Sequence, residues 1–419
     1  MCDDDACGLG NERAAYNRVH PVEPCMGRAY KLIQNLGRVL TFFVTVVTFA
    51  ETKHIPNPAP PGSSQAYLVA GPEGKVYLSW IEPAKAGRSS LRFAVRNNGD
   101  WHLLGTISEG ANWFVNWADY PTLLPMREGV FAAHWLEKKG HSTYSYGISL
   151  AQSAAGGTSW KILFAPEVRQ EGQYTGFASL VTLSRELGAA YLAPTPEGGE
   201  HDKALRFARF ASDGAVISDE MLDSDVCTCC QTAAGVTADG PIVAYRDHES
   251  DEIRDISVVA FKNGKWSHPR PVHRDRWRIN ACPVNGPALA ASGNRVAVAW
   301  YTGADEKPRV YAAFSGDGGA TFGTPARIDS GMPLGRVAVV LLPDGGAIVS
   351  WIEKKQTGGG QILVRRVSAD GRVTGTQRVS SVDTARKTGF PKMALHGNSL
   401  SVAWTDDRVR TVDVPLPAK

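Results

Sequence analysis

A chain of 419 residues with 43 glycines, 25 prolines and a formal charge of +3 has the make-up of a protein built from short strands and tight turns. Its 45 basic and 42 acidic side chains do not gather into long runs of one sign, so composition gives no support to a nucleic-acid partner or a polybasic membrane contact. The length would allow two or three domains, but large β folds often run this long as one unit.

Residues 1–50 read as a leader. Val39 to Ala50 is one apolar run, VLTFFVTVVTFA, preceded by Lys31 and Arg38 and closed by Thr48 and Ala50, small residues at the −3 and −1 positions of a cleavage site. The run is too short to span a bilayer comfortably, so no stable membrane span is expected after cleavage. Met26 opens a leader of ordinary length, which makes 1–25 the product of an upstream start; a core helix is the alternative. A secreted or periplasmic location follows. Residues 51–66, with Pro56, Pro58, Pro60 and Pro61, read as a linker or a ring-closing segment, and 67–419 as one repeating domain.

Within that domain one strand pattern recurs seven times: a β-rich run ending in an aromatic, often followed two residues later by an acid. The copies are KVYLSWIE, GVFAAHWLE, LGAAYLAP, PIVAYRD, RVAVAWYTG, GAIVSWIE and LSVAWTDD. Their aromatics, Trp80, Trp135, Tyr191, Tyr245, Trp300, Trp351 and Trp404, lie 51 to 56 residues apart. A second strand candidate precedes each run across a tight turn such as Gly293-Asn294, and two more strands follow. Four strands per unit without helical periodicity is the pattern of propeller blades. The expected fold is therefore all-β, a β-propeller of seven four-stranded blades, with six as the alternative. The last unit stops near Val414, after its third strand, so a segment ahead of Tyr67 is expected to close the ring.

Ser315 to Phe322, SGDGGATF, fits Ser-x-Asp-x-Gly-x-Thr-aromatic, the Asp-box hairpin. Asp bonds its own loop, Gly takes a positive φ and the aromatic packs inward. Ser153 to Trp160 is a second copy with Ala155 in place of Asp. On this motif, and on CTCCQT at 227–232, AYRD…IRDI at 244–256 and CPVNGPALA at 282–290, the chain over 67–419 resembles the sialidase-like, Asp-box propellers, bacterial exo-sialidase-like members above all. In sialidases of that family an arginine cluster holds the substrate carboxylate, a Tyr activated by a Glu attacks, and an Asp is the acid/base. The Phe/Tyr-Arg-Ile-Pro segment that marks the first arginine is absent here, so no residue is carried over into those roles.

Topology places the loops entering first strands and those following second strands on one face, opposite the Asp-box hairpins. On that face Asp247, Glu137, Glu353 and Tyr301 are the candidate catalytic groups, since two facing carboxylates suffice for acid–base work. The recurrence of the acid (Glu82, Glu137, Asp247, Glu353, Asp406) equally fits a structural role. Arg246, Arg254, Arg336 and Arg408, with Asn285, are candidate ligand-binding groups, because a buried guanidinium can grip a carboxylate or sulfate bidentately. Arg–Asp bracing of loops is the alternative. Trp113 and Trp117 read as a sugar platform or as core.

Four cysteines remain beyond the leader: Cys227, Cys229, Cys230 and Cys282. An even number in an oxidising compartment favours two disulfides, with a thiolate metal site as the sharper alternative. No cofactor is expected: Gly358-Gly359-Gly360 lacks a P-loop Lys and reads as a turn. The expected function is cleavage of an acidic or complex glycan at the channel face, with non-catalytic binding of a glycan or protein as the alternative.

Overall fold

The computed structural model describes residues 52–195 and 202–418. The chain divides into two units, 1–48 and 49–419, and the described residues belong to the second. The expected leader lies outside them. Among the described residues the structure is all-β, its only helical pieces single 3-10 turns, and no helix is long and apolar enough to cross a membrane.

Seven antiparallel sheets follow one another along the chain, so the seven-blade expectation holds over the six-blade one. The innermost strands of blades 1 to 7 are Ser64–Ala70, Thr122–Pro125, Gly176–Leu183, Ala233–Val236, Ala288–Ser292, Met332–Leu341 and Lys392–His396. Each packs on the innermost strands of the blades before and after it, the seventh on the first, which makes a closed ring around a channel. In blade 4 the outer position is shared by two short strands, Lys265–Trp266 and Arg270–Pro271.

The second strands explain why the repeat is visible. Each is flanked by neighbouring blades on both faces, so Val76–Ile81, Phe131–Leu136 and Ala347–Glu353 are buried at every position rather than alternately. The seven repeat aromatics all sit on second strands and are at most 2% exposed. Outer strands such as Asp100–Gly110 and Val216–Asp223 are largely exposed or half-buried.

The ring is closed by the start of the domain. Lys53–His54 pairs with Val409–Pro415 in the register Lys53 to Asp413 and supplies the outer strand of blade 7. The Asn57 side chain donates to Val409 O (3.2 Å) and Thr411 Oγ1 (3.1 Å). Blade 1 is tied to blade 7 by buried Arg96, which grips Asp413 through both terminal nitrogens and donates to Ser401 Oγ at 2.9 Å. Two parallel charge-assisted bonds fix orientation as well as distance.

In the Asp317 hairpin, the carboxylate accepts from Thr321 N (2.9 Å), Thr321 Oγ1 (2.6 Å) and Ser315 Oγ (2.7 Å). Gly318, at φ 74°, donates to Asn294 O in the first turn of the same blade. The hairpin and that turn therefore share one end of blade 5.

Candidate functional site

Burying seven indole or phenol rings demands a partner for each polar head. In blades 1, 2 and 6 the acid two residues on supplies it: Trp80 Nε1 donates to Glu82 (2.6 Å), Trp135 to Glu137 (2.8 Å) and Trp351 to Glu353 (3.0 Å). In blades 3, 4 and 5 the partner comes from farther away, Asp219 for Tyr191, Asp223 for Tyr245 and Asp275 for Trp300, whereas Trp404 Nε1 of blade 7 has none. Two candidate catalytic groups, Glu137 and Glu353, are thus engaged by their own indoles. Asp247 is not: it is buried, accepts from His248 N at 2.9 Å, and its carboxyl is pushed up to about 6 by that burial. Tyr301 packs edge-on against Trp277, ring centres 5.5 Å apart.

The arginine set forms a brace. Arg246, 2% exposed, lies over Trp277 and directs its nitrogens to the carbonyls of Asn285 (2.7 Å), Arg254 (2.5 Å) and Tyr301 (2.7 Å). Asn285 passes the connection on: its Oδ1 accepts from Arg336 N (2.8 Å) and its Nδ2 donates to Leu334 O (3.3 Å). Arg336 then donates to Ala385 O (3.0 Å) and Thr384 O (3.4 Å), and burial draws its guanidinium down to about 10. The loops entering blades 5 and 7 are linked in this way through the innermost strand of blade 6. Arg254 pairs with Glu252 (2.7 Å), and Arg408 lies 3.8 Å from Asp407. Trp113 stacks on Trp135 inside blade 2, ring centres 6.1 Å apart.

Trp117 has a different setting. It stacks on Phe390 (5.9 Å, 14° between planes), carries the Arg336 guanidinium 4.8 Å from its ring, and lines a cleft of about 440 Å³. The other walls are the loops entering blades 1, 2 and 7, with Gln65, Tyr120, Lys387 and Phe390, and the loop after the second strand of blade 7, with Asp406 and Asp407. Tyr120 and Phe390 also border the central channel, about 620 Å³, so cleft and channel meet at these two rings.

Lys392 stands at that junction. Its Nζ lies 2.5 Å from Tyr120 Oη, 4.1 Å from the Tyr120 ring centre, 5.6 Å from that of Tyr67 and 5.8 Å from that of Phe390. Among the described residues lining the channel it is the one with a formal charge; the rest are small, apolar or neutral polar. Removal from water lowers its ammonium from 10.5 to about 7, and the same burial raises the Tyr120 hydroxyl well above the ordinary phenol value. Beside them Asp119 is buried, accepting from Phe177 N (2.8 Å) and Tyr146 Oη (3.0 Å), with its carboxyl pushed up to about 7 by desolvation.

Sequence reasoning passed over Lys392, Tyr120, Phe390 and Gln65. A signal for the lysine exists once strands are aligned by register. The residue opposite the one that precedes each repeat aromatic is Tyr67, Thr122, Ser179, Ala233, Ala288, Ala338 and Lys392 in blades 1 to 7. Five are small, and the two that are not face each other across the junction of the last blade with the first.

The four cysteines come together on the loops entering blades 4 and 5. Cys227 Sγ lies 3.3 Å from Cys230 Sγ and 3.8 Å from Cys229 Sγ, Cys282 packs against the three, and all four are free thiols here.

No family model and no curated protein matches this sequence. Solved structures do. The chain is similar to an ulvan lyase of polysaccharide lyase family 25, bound to -[GlcA(1-4)Rha3S]-, at a TM-score of 0.54 and 13% identity over 88% of this chain and 95% of that one. It is similar to polysaccharide lyase Uly1 at 0.50 and 10% identity, over 85% and 90%. A Hadza microbial sialidase aligns at 0.47 and 12%, over 80% and 75%. At these identities the likeness is one of fold.

Proposed function

We propose that this protein is an exported carbohydrate-active propeller that cleaves an acidic glycan by β-elimination where the cleft meets the channel. The observation that carries the reading is the Lys392–Tyr120 pair, a cation with its acidity shifted into the neutral range, in contact with a phenol that keeps its proton. Elimination from a uronate needs that combination. Neutral Lys392 takes the proton from the carbon next to the carboxylate. The bond to the glycosidic oxygen breaks, Tyr120 protonates that oxygen, and a carbon–carbon double bond remains in the new chain end. Direct contact lets the proton return from Lys392 to Tyr120. Trp117 and Phe390 offer flat faces for sugar rings, and Lys387 brings a cation to the cleft for the substrate carboxylate. The ulvan lyase is bound to a glucuronate-containing chain, a class that this chemistry suits.

Hydrolysis by two carboxylates has less support. Asp406 and Asp407, the acids lining the cleft, are neighbours on one turn rather than an opposed pair. The test is to incubate the purified full-length chain with a panel of polyuronates, sulfated and unsulfated, and with aryl sialosides. Appearance of ultraviolet-absorbing unsaturated ends supports the reading. New reducing ends without that absorbance establish a hydrolase instead. Binding without cleavage leaves a glycan-binding propeller.

A further inference from the structure

We propose that Cys227, Cys229 and Cys230, with Cys282 beside them, bind a thiophilic metal ion, Zn²⁺ or Cu⁺, that pins the loop entering blade 4 against the channel rim. The inference stands apart from the glycan reading. The three sulfurs lie within 4.8 Å of one another. Thiolates around one ion at a metal–sulfur distance of about 2.3 Å sit about 3.8 Å apart, and Cys227 has two sulfur neighbours, at 3.8 and 3.3 Å. A sulfur shared between two others is the geometry of a cluster around a centre, whereas a disulfide isolates one pair at about 2.0 Å.

The surroundings agree. Cys227 and Cys229 are each 1% exposed and Cys230 is 2% exposed, and the thiols form a small core of their own against which Cys282 and Val284 pack. Little apolar bulk fills this loop, so a bound ion supplies the cohesion that side chains do not. Several thiolates on one ion leave net negative charge, and Arg254 Nη1 stands 3.6 Å from Cys227 Sγ to offset it. His248 bonds instead to Asp225 (2.6 Å) and Glu252 (3.3 Å), so the donors are all sulfur, which favours Zn²⁺ and Cu⁺ over harder ions.

The loop has a task. Two residues beyond Cys229, Gln231 donates to Ala118 O of the loop entering blade 2 (2.7 Å) and accepts from Gly286 N of the loop entering blade 5 (2.9 Å). Thr232 donates to Phe177 O in blade 3 (2.7 Å), and Tyr174 Oη donates to Thr228 O. Gln231 and Thr232 both line the channel. An ion at the cysteines therefore fixes the reach of a loop that joins blades 2, 3 and 5 at the channel rim.

The experiment is metal analysis of the full-length chain purified without chelator, with thiols counted by alkylation and mass spectrometry before and after denaturation. About one equivalent of zinc or copper per chain is expected, with Cys227, Cys229, Cys230 and Cys282 becoming reactive only on denaturation or chelation; the element found identifies the ion. Co²⁺ exchanged into the wild type should give intense thiolate-to-cobalt absorption, lost in Cys227→Ser and weakened in Cys282→Ser. If Cys227→Ser does not fold, the Co²⁺ titration of the wild type still decides. Disulfides joining Cys227, Cys229, Cys230 or Cys282 in the unreduced protein overturn the proposal. So does finding these four thiols reduced in a protein that holds no metal as purified and takes up no Co²⁺.

Discussion

Protonation of Lys392 sets the sharpest expectation. Its amine titrates at about 7, so the neutral, base-competent form is scarce below that pH and dominant above it. For a single group of this kind, the elimination rate should rise about tenfold between pH 6 and pH 8. Tyr120, raised far above neutral, keeps its proton across the range and adds no falling limb. Lys392→Met removes the base and should lower kcat/KM by about a hundredfold or more. Lys392→Arg keeps the positive charge but cannot lose a proton at these pH values, and should be as inactive. Unfolding does not explain such losses, because the lysine is a cost to the fold. Its folded value lies below 10.5, so the unfolded chain binds more protons between about pH 7 and 10.5, and stability should rise with pH across that window. The full shift corresponds to about 5 kcal/mol, an upper bound because the amine still meets channel water. Lys392→Met should therefore melt no lower than wild type at pH 7. A flat rate profile from pH 6 to 8, or an active Lys392→Arg, refutes the reasoning.

Three further outcomes follow from the braces and caps. Arg246→Ala strands the buried carbonyls of Asn285, Arg254 and Tyr301 and should cost roughly 3–6 kcal/mol, seen as a lower denaturation midpoint rather than a selective loss of substrate affinity. Glu137→Gln keeps an acceptor for Trp135 Nε1 and should leave melting temperature and turnover unchanged; a folded but inactive variant would return Glu137 to the catalytic set. Asp119 has a folded value of about 7 against 3.8, so its stabilising effect is complete below about pH 4 and is lost as pH rises toward 7, a swing of about 4 kcal/mol. Asp119→Asn should remove that dependence from stability curves taken between about pH 4 and 8.

The architecture was legible because packing repeats its demands. Every second strand lies between two blades, so every copy must bury an aromatic at the same register, and the spacing of Trp80 through Trp404 counts the blades directly. The site was much less legible for the same reason. The most regular polar feature, an acid two residues after the aromatic, is the partner of a buried indole in Glu82, Glu137 and Glu353. Arg246 and Arg336 read in sequence as candidate ligand-binding groups, yet their nitrogens go to backbone carbonyls of neighbouring segments. Trp117, which the sequence left open between a sugar platform and core, lines the cleft.

Repetition and chemistry separate along the blade. A residue that recurs is answering a packing requirement common to all seven sheets, so the informative positions are those where one blade breaks the rule. Register shows two such breaks on innermost strands, Tyr67 in blade 1 and Lys392 in blade 7, where the other blades carry small side chains. They fall where first and last blades meet, and Tyr120 of blade 2 completes the group. Blade 7 also differs in its second strand: Trp404 Nε1 has no hydrogen-bond partner, and the acid two residues on, Asp406, faces the cleft instead. One blade thus gives up a cap that three others use and places both an acid and a lysine of lowered pKa at the opening, which is why the chemistry is sought there and not among the repeated carboxylates.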